Sequence, residues 1–524
     1  MKKIVYEIYP LSFKDTTGNG RGDLRGVISK LKYLEDLGVD YLWLTPVFKT
    51  PFKDNGYDIS DYYQVDKNFG TNEDLKELIE KADAHNLKIM LDMVFNHTST
   101  EHMWFKEWVK GNPDYKDFYI SRYSEGKPPT NWVSKFGGSA WKEYKPNNWY
   151  LHLFDETQAD LNWDNPKVRK QIFEIVDHFI NMGVKGFRFD VINLISKSEF
   201  KDDYEGDGRK YYTDGKNAHK YIQELSSKFP DDVDFLTVGE LSSTTVDDTI
   251  QYANKNRTEL DSVFTFHHLK VDYDGLNKFV DMKPNIKKLN DIMKGWFESV
   301  DGAGSKMATF LNNHDQPRSV SRFIEKKYRV PGAKMLFAFT ASLPGIPYIY
   351  QGEEIGMENV DFQHQEDFKD VETLNYFRNN KIKGIPNGVY QKSRDNSRTP
   401  MQWDSSENAG FSKGEPWIGV NRNFKTINVE QELNDDDSIL NFYKEYIKFI
   451  KSDAIQINGS VEFHEFKNDV ISYSRIHEGK KQKCLFSFSS EIQKAQTNGK
   501  VLWNNYHNVI EGKMLPYQML IMEV

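Results

Sequence analysis

The segment GFRFDV (186–191) sets two side chains together that packing alone explains poorly. In an extended strand, alternation puts Arg188 and Asp190 on one face and Phe187 and Phe189 on the other. A guanidinium beside a carboxylate keeps the acid ionised, the state a nucleophile needs. A buried structural ion pair would give the same pattern, so the weight rests on what other strand-like segments carry at their ends. KIMLDMVFNH (88–97) carries Asp92, Asn96 and His97, FLTVGE (235–240) ends in Glu240, and KMATFLNNHD (306–315) ends in Asn312, His314 and Asp315.

Carboxylates from several strand ends, gathered at one cavity, suit glycoside hydrolysis: one attacks the anomeric carbon, another protonates the leaving oxygen and later activates water. Glu240 follows an apolar run, and burial beside other carboxylates raises an acid's pKa, which suits the proton donor. Asp190 beside Arg188 is the better nucleophile, and Asp315 would steady the cationic sugar of the transition state. Helix capping and ion pairing at the strand ends are the plainer alternative for any one of these acids.

Convergence requires a fold that collects strand ends. Strand-like segments at 5–10, 40–46, 88–97, 186–191, 235–242, 261–268, 306–316 and 346–354 alternate with helical stretches. That alternation implies parallel crossover units, and eight of them predict a closed (β/α)8 barrel, an α/β fold with its functional face at the strand carboxyl ends. In NPKVRKQIFEIVDHFINMG, residues Val168, Ile172, Phe173, Ile175, Val176, Phe179 and Ile180 fall on one helical face behind an Asn165 cap and Pro166. Residues 99–164 break the rhythm with Trp, Tyr, Gly and Pro, and read as an inserted B domain. The barrel is expected over 1–98 and 165–452, with 453–524 a C-terminal antiparallel β-sandwich domain.

The 524-residue chain has a net charge of −9 with both signs interspersed, which argues against nucleic acid or an anionic membrane as partner. Its single cysteine, Cys484, excludes an intrachain disulfide and a multi-cysteine metal site. There is no apolar run of membrane-spanning length and no leader-like stretch ahead of the first strand, so a cytoplasmic protein is expected, as a monomer or weak dimer.

DMVFNH, GFRFDV, VGEL and NNHDQ, in that order, resemble the signature segments of the α-amylase family of retaining glycoside hydrolases. The resemblance implies Asp190 as nucleophile, Glu240 as acid/base and Asp315 as the third carboxylate, with no cofactor in catalysis. It also implies that Tyr57 and Asp58 of GYDISDY hold the non-reducing-end glucose, together with His97, Arg188 and His314. SRDNSRTPMQWD is similar to the oligo-1,6-glucosidase subgroup, where the second arginine, here Arg398, reaches that glucose and makes the enzyme exo-acting.

PTNWVSKFGGSAW, EGDGRKYYTDG, VGELSSTTVDDTIQY and FHHLKVDY, with Val191 after the nucleophile, resemble the members that split trehalose 6-phosphate. That implies a small phosphorylated sugar as substrate, and Lys270 with His267 or His268 at the leaving-group side is the expected phosphate anchor. Their being merely solvated or packed is the alternative. An oligo-1,6-glucosidase acting on isomalto-oligosaccharides is the nearest rival function. A non-catalytic binding relative on the same scaffold would lack the carboxylates, which are present. The loop DTTGNGRGD resembles a calcium loop, with Asp15, Asn19, Asp23 and the Arg21 carbonyl as oxygen ligands. Two readings stand for it: one structural Ca2+, or a glycine-rich turn held by its own hydrogen bonds.

Overall fold

A computed structural model describes residues 2–232, 234–256 and 258–524. Eight short strands form its centre: β1 (Val5–Ile8), β2 (Tyr41–Leu44), β3 (Lys88–Met93), β4 (Gly186–Phe189), β5 (Leu236–Glu240), β6 (Ser262–Phe264), β7 (Ala308–Thr309) and β8 (Ile346–Tyr350). They pair in the order β6-β5-β4-β3-β2-β1-β8-β7, and a parallel bridge from Val263 to Met307 brings the two ends together. The result is the (β/α)8 barrel that the alternating segments predict. Helices cover the outside and side chains fill the inside, which is why β1, β2, β4 and β5 are buried along their whole length.

The helix Pro166–Met182 illustrates how local sequence builds this shell. The Asn165 side chain accepts from the Lys167 N–H, Pro166 occupies the first turn, and Gly183 ends the helix at φ 104°. Five of its seven stripe residues are buried, while Phe173 and Ile180 are partly covered at the edge.

After β3 the chain leaves the barrel. His97–Ser99 pairs antiparallel with Gln158–Asp160, so the insertion starts and ends on one two-stranded ribbon beside the barrel mouth. Between them lie a helix, Met103–Lys110, and a three-stranded sheet of 121–123, 148–151 and 141–145. Lys197, after β4, locks this ribbon down. Its ammonium pairs with Asp160 at 2.7 Å and donates to Asn96 Oδ1 at 3.0 Å and to the Leu194 carbonyl.

The seventh strand is much shorter than the segment 306–316 suggests. Beyond Thr309 the chain turns inward instead of continuing, because Glu7 on β1 accepts from both the backbone N–H and the ring Nδ1 of His314. After β8 an excursion carries the helices Val371–Asn379, Asn387–Lys392 and Asp395–Arg398 back over the mouth. The helix Ile439–Ser452 then closes the barrel. A short helix, Ala454–Asn458, leads into a five-stranded antiparallel sheet with strand order 460–463, 470–477, 480–487, 519–523, 500–504. Arg475, fully buried, ties this sheet to the barrel by donating to the Gly459 carbonyl at 3.1 Å and to that of Ser342. No helix among the described residues is long and apolar enough to cross a membrane.

Candidate active site

Arg188 is the hub of the barrel mouth. Register sets it beside Asp92 on β3 and Val238 on β5, so Glu240, two residues beyond Val238, lies on the same side. The guanidinium is wholly buried. Its Nη1 donates to Asp92 Oδ1 and to Asp190 Oδ1, each at 2.8 Å, and its Nη2 contacts Glu240 Oε2 directly. Two carboxyls held by the two arms of one guanidinium are brought close together, an arrangement that suits a double-displacement pair, whose carboxyls stand about 5 Å apart, better than the wider gap of an inverting one. Asp190 and Glu240 line one cavity of about 270 Å3 with Asp315, Tyr57 and His97.

Electrostatics separate the acids into roles. Burial pushes the Glu240 carboxyl well above its ordinary range against the pull of Arg188, and Asp190, Asp315 and Asp92 push it further. Burial also works against ionising Asp315, but His314, Arg394 and Arg398 outweigh it and hold that carboxyl below the usual range. Its Oδ1 accepts from Arg394 at 3.1 Å and Arg398 at 2.9 Å, and His314 Nε2 stands 3.4 Å from Oδ2. One carboxyl biased towards its protonated form and another biased towards its ionised form at one mouth suit the proton donor and the electrostatic partner of glycoside hydrolysis.

Backbone geometry also fixes how Asp190 is presented. The Asp190 N–H donates to the Met93 carbonyl at 3.0 Å, and Val191, the next residue, has φ 36°. A β-branched residue in the left-handed region is strained, and the turn aims both side chains into the cavity. Glycine precedes Glu240 because a Cβ on Gly239 would stand 2.5 Å from Leu260 Cδ1 and 3.0 Å from Ile192 Cγ2.

Six of the residues singled out in the sequence line this cavity: Tyr57, His97, Asp190, Glu240, Lys270 and Asp315. Arg188 and His314 stand just behind the carboxylates they touch. Asp58 does not reach the cavity. It is fully buried and accepts from Thr50 Oγ1 and the backbone N–H groups of Lys53 and Asp54, so it shapes the loop, and Asp54 is the acid that faces the sugar space. Arg398 likewise lies behind Asp315 at 1% exposure, and Arg394, the first arginine of the segment, is the one at the cavity wall. Arg394 Nη2 meets Asp54 Oδ1 at 3.3 Å and Asp370 at 2.7 Å, and the guanidinium lies 5.0 Å from the Phe136 ring. Burial raises the Asp54 carboxyl to about 7 against the pull of Arg394. His267 turns away, with its ring stacked on Trp296 at 4.9 Å.

The other end of the cavity is cationic. Lys135, Arg209 and Lys270 line it beside Ser242 and Ser243. Lys135 Nζ donates to Ser242 Oγ at 3.2 Å, and Arg209 pairs with Asp207 through Nε at 2.8 Å. Neither lysine has a carboxylate partner among the described residues. Burial, then Arg209, draws the Lys135 ammonium down to about 7, and the same two causes lower Lys270. Lys135 and Arg209 come from KFGGSAW and EGDGRKYY, segments the sequence marks without saying which of their residues point inward.

The DTTGNGRGD loop is closed by its own donors. Asp15 accepts from the N–H groups of Thr17, Gly18 and Gly20 and from Ser412 Oγ, and Asp23 from Thr16 and Gly26. The Arg21 N–H donates to Asn19 Oδ1 at 2.8 Å. With both aspartates saturated by N–H and O–H donors, the donor set fits a self-bonded turn rather than a cation cage.

The Alpha-amylase family profile, described as alpha amylase catalytic domain, matches residues 7–459. The chain is 47% identical over 495 residues to the trehalose-6-phosphate hydrolase of Bacillus subtilis (strain 168), covering 92% of this chain and 88% of that one. It is 41% identical over 554 residues to the oligo-1,6-glucosidase of Bacillus cereus, covering 100% and 99%. Its structure is similar to Bacillus licheniformis trehalose-6-phosphate hydrolase (TreA) with a TM-score of 0.95 at 45% identity, over 100% of this chain and 99% of the other.

Proposed function

The chain belongs to the α-amylase family, and we propose that this glycoside hydrolase splits trehalose 6-phosphate into glucose and glucose 6-phosphate with net retention. The observation that carries the substrate choice is the cationic end of the cavity. Two half-buried ammonium groups with no ion-pair partner among the described residues, beside the Arg209–Asp207 pair, suit a dianionic ligand. A phosphate brings about −1.5 to −2 charge and three acceptor oxygens. The Asp54–Arg394 pair closes the opposite end, so a single non-reducing glucose fits between that pair and the catalytic acids, which makes the enzyme exo-acting.

The unphosphorylated glucose lies with its anomeric carbon before Asp190, and the phosphorylated glucose is the leaving group beside Lys135, Arg209 and Lys270. Asp190 attacks the anomeric carbon while protonated Glu240 gives its proton to the bridging oxygen. Glucose 6-phosphate leaves. Ionised Glu240 then takes a proton from water, the water oxygen attacks the glucosyl ester, and α-glucose and free Asp190 result. Throughout, Asp315, held ionised by its two arginines, stabilises the positive charge that develops on the ring. Assaying trehalose 6-phosphate beside isomaltose tests the reading: a preference for the phosphorylated sugar of at least about tenfold, roughly 1.4 kcal/mol, supports it, and equal or better isomaltose hydrolysis overturns it in favour of an oligo-1,6-glucosidase.

A further inference from the structure

Lys270 sits on the chain between Leu269 and Asp272, and both of those residues are gripped by one side chain from another segment. Arg322, on the short helix Ser319–Phe323, is buried among them with its side chain 2% exposed. Its Nε donates to Asp272 Oδ2 at 2.9 Å, its Nη2 to Asp272 Oδ1 at 2.5 Å and to the Leu269 carbonyl. Its Nη1 donates to Gln316 Oε1 at 3.0 Å, and Gln316 lines the catalytic cavity directly after Asp315. The fork of this guanidinium therefore fixes the loop that carries Lys270, and fixes it relative to the loop that carries the third carboxylate.

We infer that Arg322 is a positioning residue for substrate selection, setting where the Lys270 ammonium stands relative to the catalytic acids. The inference rests on the phosphate reading above. Arg322 itself touches no substrate, since it does not line the cavity. The Asp315 carboxylate is secured independently by Arg394, Arg398 and His314, so loosening Gln316 leaves it in place. The backbone of the Lys270 loop also has a second support, because Lys392 Nζ donates to the Asp272 carbonyl at 2.6 Å. Loss of the Arg322 fork would thus blur the position of one ammonium without dismantling the mouth. Lysine keeps the charge at this position but cannot reproduce the planar, multiply donating fork.

The test compares Arg322→Lys, Lys270→Ala and the double variant on trehalose 6-phosphate and on 4-nitrophenyl α-glucoside, which carries no phosphate. In Arg322→Lys, KM for trehalose 6-phosphate rises about tenfold while kcat/KM for the aryl glucoside changes about twofold or less. Because the arginine acts through Lys270, the double variant is no worse than Lys270→Ala alone. Equal losses on both substrates, or additive losses in the double variant, overturn the inference. If Lys270→Ala fails to discriminate between the two substrates, the phosphate reading falls and this inference falls with it. If Lys270→Ala discriminates and Arg322→Lys does not, the inference falls alone. Asp272→Asn, which weakens the same fork from its other side, replaces Arg322→Lys if that protein does not fold, and the same outcomes apply.

Discussion

Lys135→Ala removes one of the two cavity ammonium groups that have no ion-pair partner among the described residues. A hydrogen bond to a charged group contributes about 1.5–3 kcal/mol, so KM for trehalose 6-phosphate should rise roughly 10- to 150-fold. The pH dependence is the more diagnostic reading. Lys135 is held at about 7 in the free protein, first by burial and then by Arg209, so on the proposed reading it would meet a phosphate fully charged only below that pH. A phosphate monoester becomes a dianion above about pH 6. Affinity for the phosphorylated sugar should therefore be best between these limits and fall as pH rises through 7, with no such fall for 4-nitrophenyl α-glucoside. In Lys135→Ala the limb above pH 7 should vanish.

The same lowered pKa has a sign for stability. The native state releases this proton well below the ordinary lysine value of 10.5, so between about 7 and 10.5 the unfolded chain binds more protons and the group's contribution to stability rises with pH. Lys135→Ala should accordingly melt higher than the parent at pH 7. A KM change that is equal for both sugars, or a limb above pH 7 that persists in the variant, would refute the reasoning.

Glu240→Gln should lower kcat/KM for trehalose 6-phosphate by about 10²–10⁴ and much less for an aryl glucoside, whose leaving group needs no proton; matching losses would remove Glu240 from the acid role. Arg394→Lys should cut kcat/KM on phosphorylated and unphosphorylated substrates alike, because it loosens both Asp54 and Asp315, and steady-state kinetics on the pair of substrates checks this. Lys197→Met leaves the Asp160 carboxylate buried and unpaired, so denaturant unfolding should register a loss of about 3–5 kcal/mol.

The barrel, and the meeting of Asp190, Glu240 and Asp315 at one cavity, were legible in the sequence because strand ends announce themselves locally: each of these acids closes or follows an apolar run. The other residues that line the cavity were legible only to within a few positions. Asp58 and Arg398 stand in the recognisable segments, but Asp58 caps its own loop and Arg398 braces Asp315 from behind, leaving Asp54 and Arg394 at the cavity. That exchange depends on how two loops fold against each other, which no periodicity records. Lys135 and Arg209 were harder still, since they lie in irregular segments 74 residues apart in number, as 209 − 135, and meet only once the insertion folds over the mouth. In FHHLKVDY the sequence leaves open which histidine accompanies Lys270; the turn His267–Leu269 sends His267 onto Trp296 and His268 to the Phe310 carbonyl, and only the lysine lines the cavity.

Hydrolysis of trehalose 6-phosphate in ¹⁸O-water, followed by NMR and mass spectrometry before the sugars mutarotate, tests the central claim most directly. Attack by Asp190 on the unphosphorylated ring, with the phosphate held on the departing side, predicts that glucose emerges first as the α-anomer with the label at its anomeric oxygen, and that glucose 6-phosphate emerges unlabelled. β-Glucose as the first product, or label in glucose 6-phosphate, would contradict it.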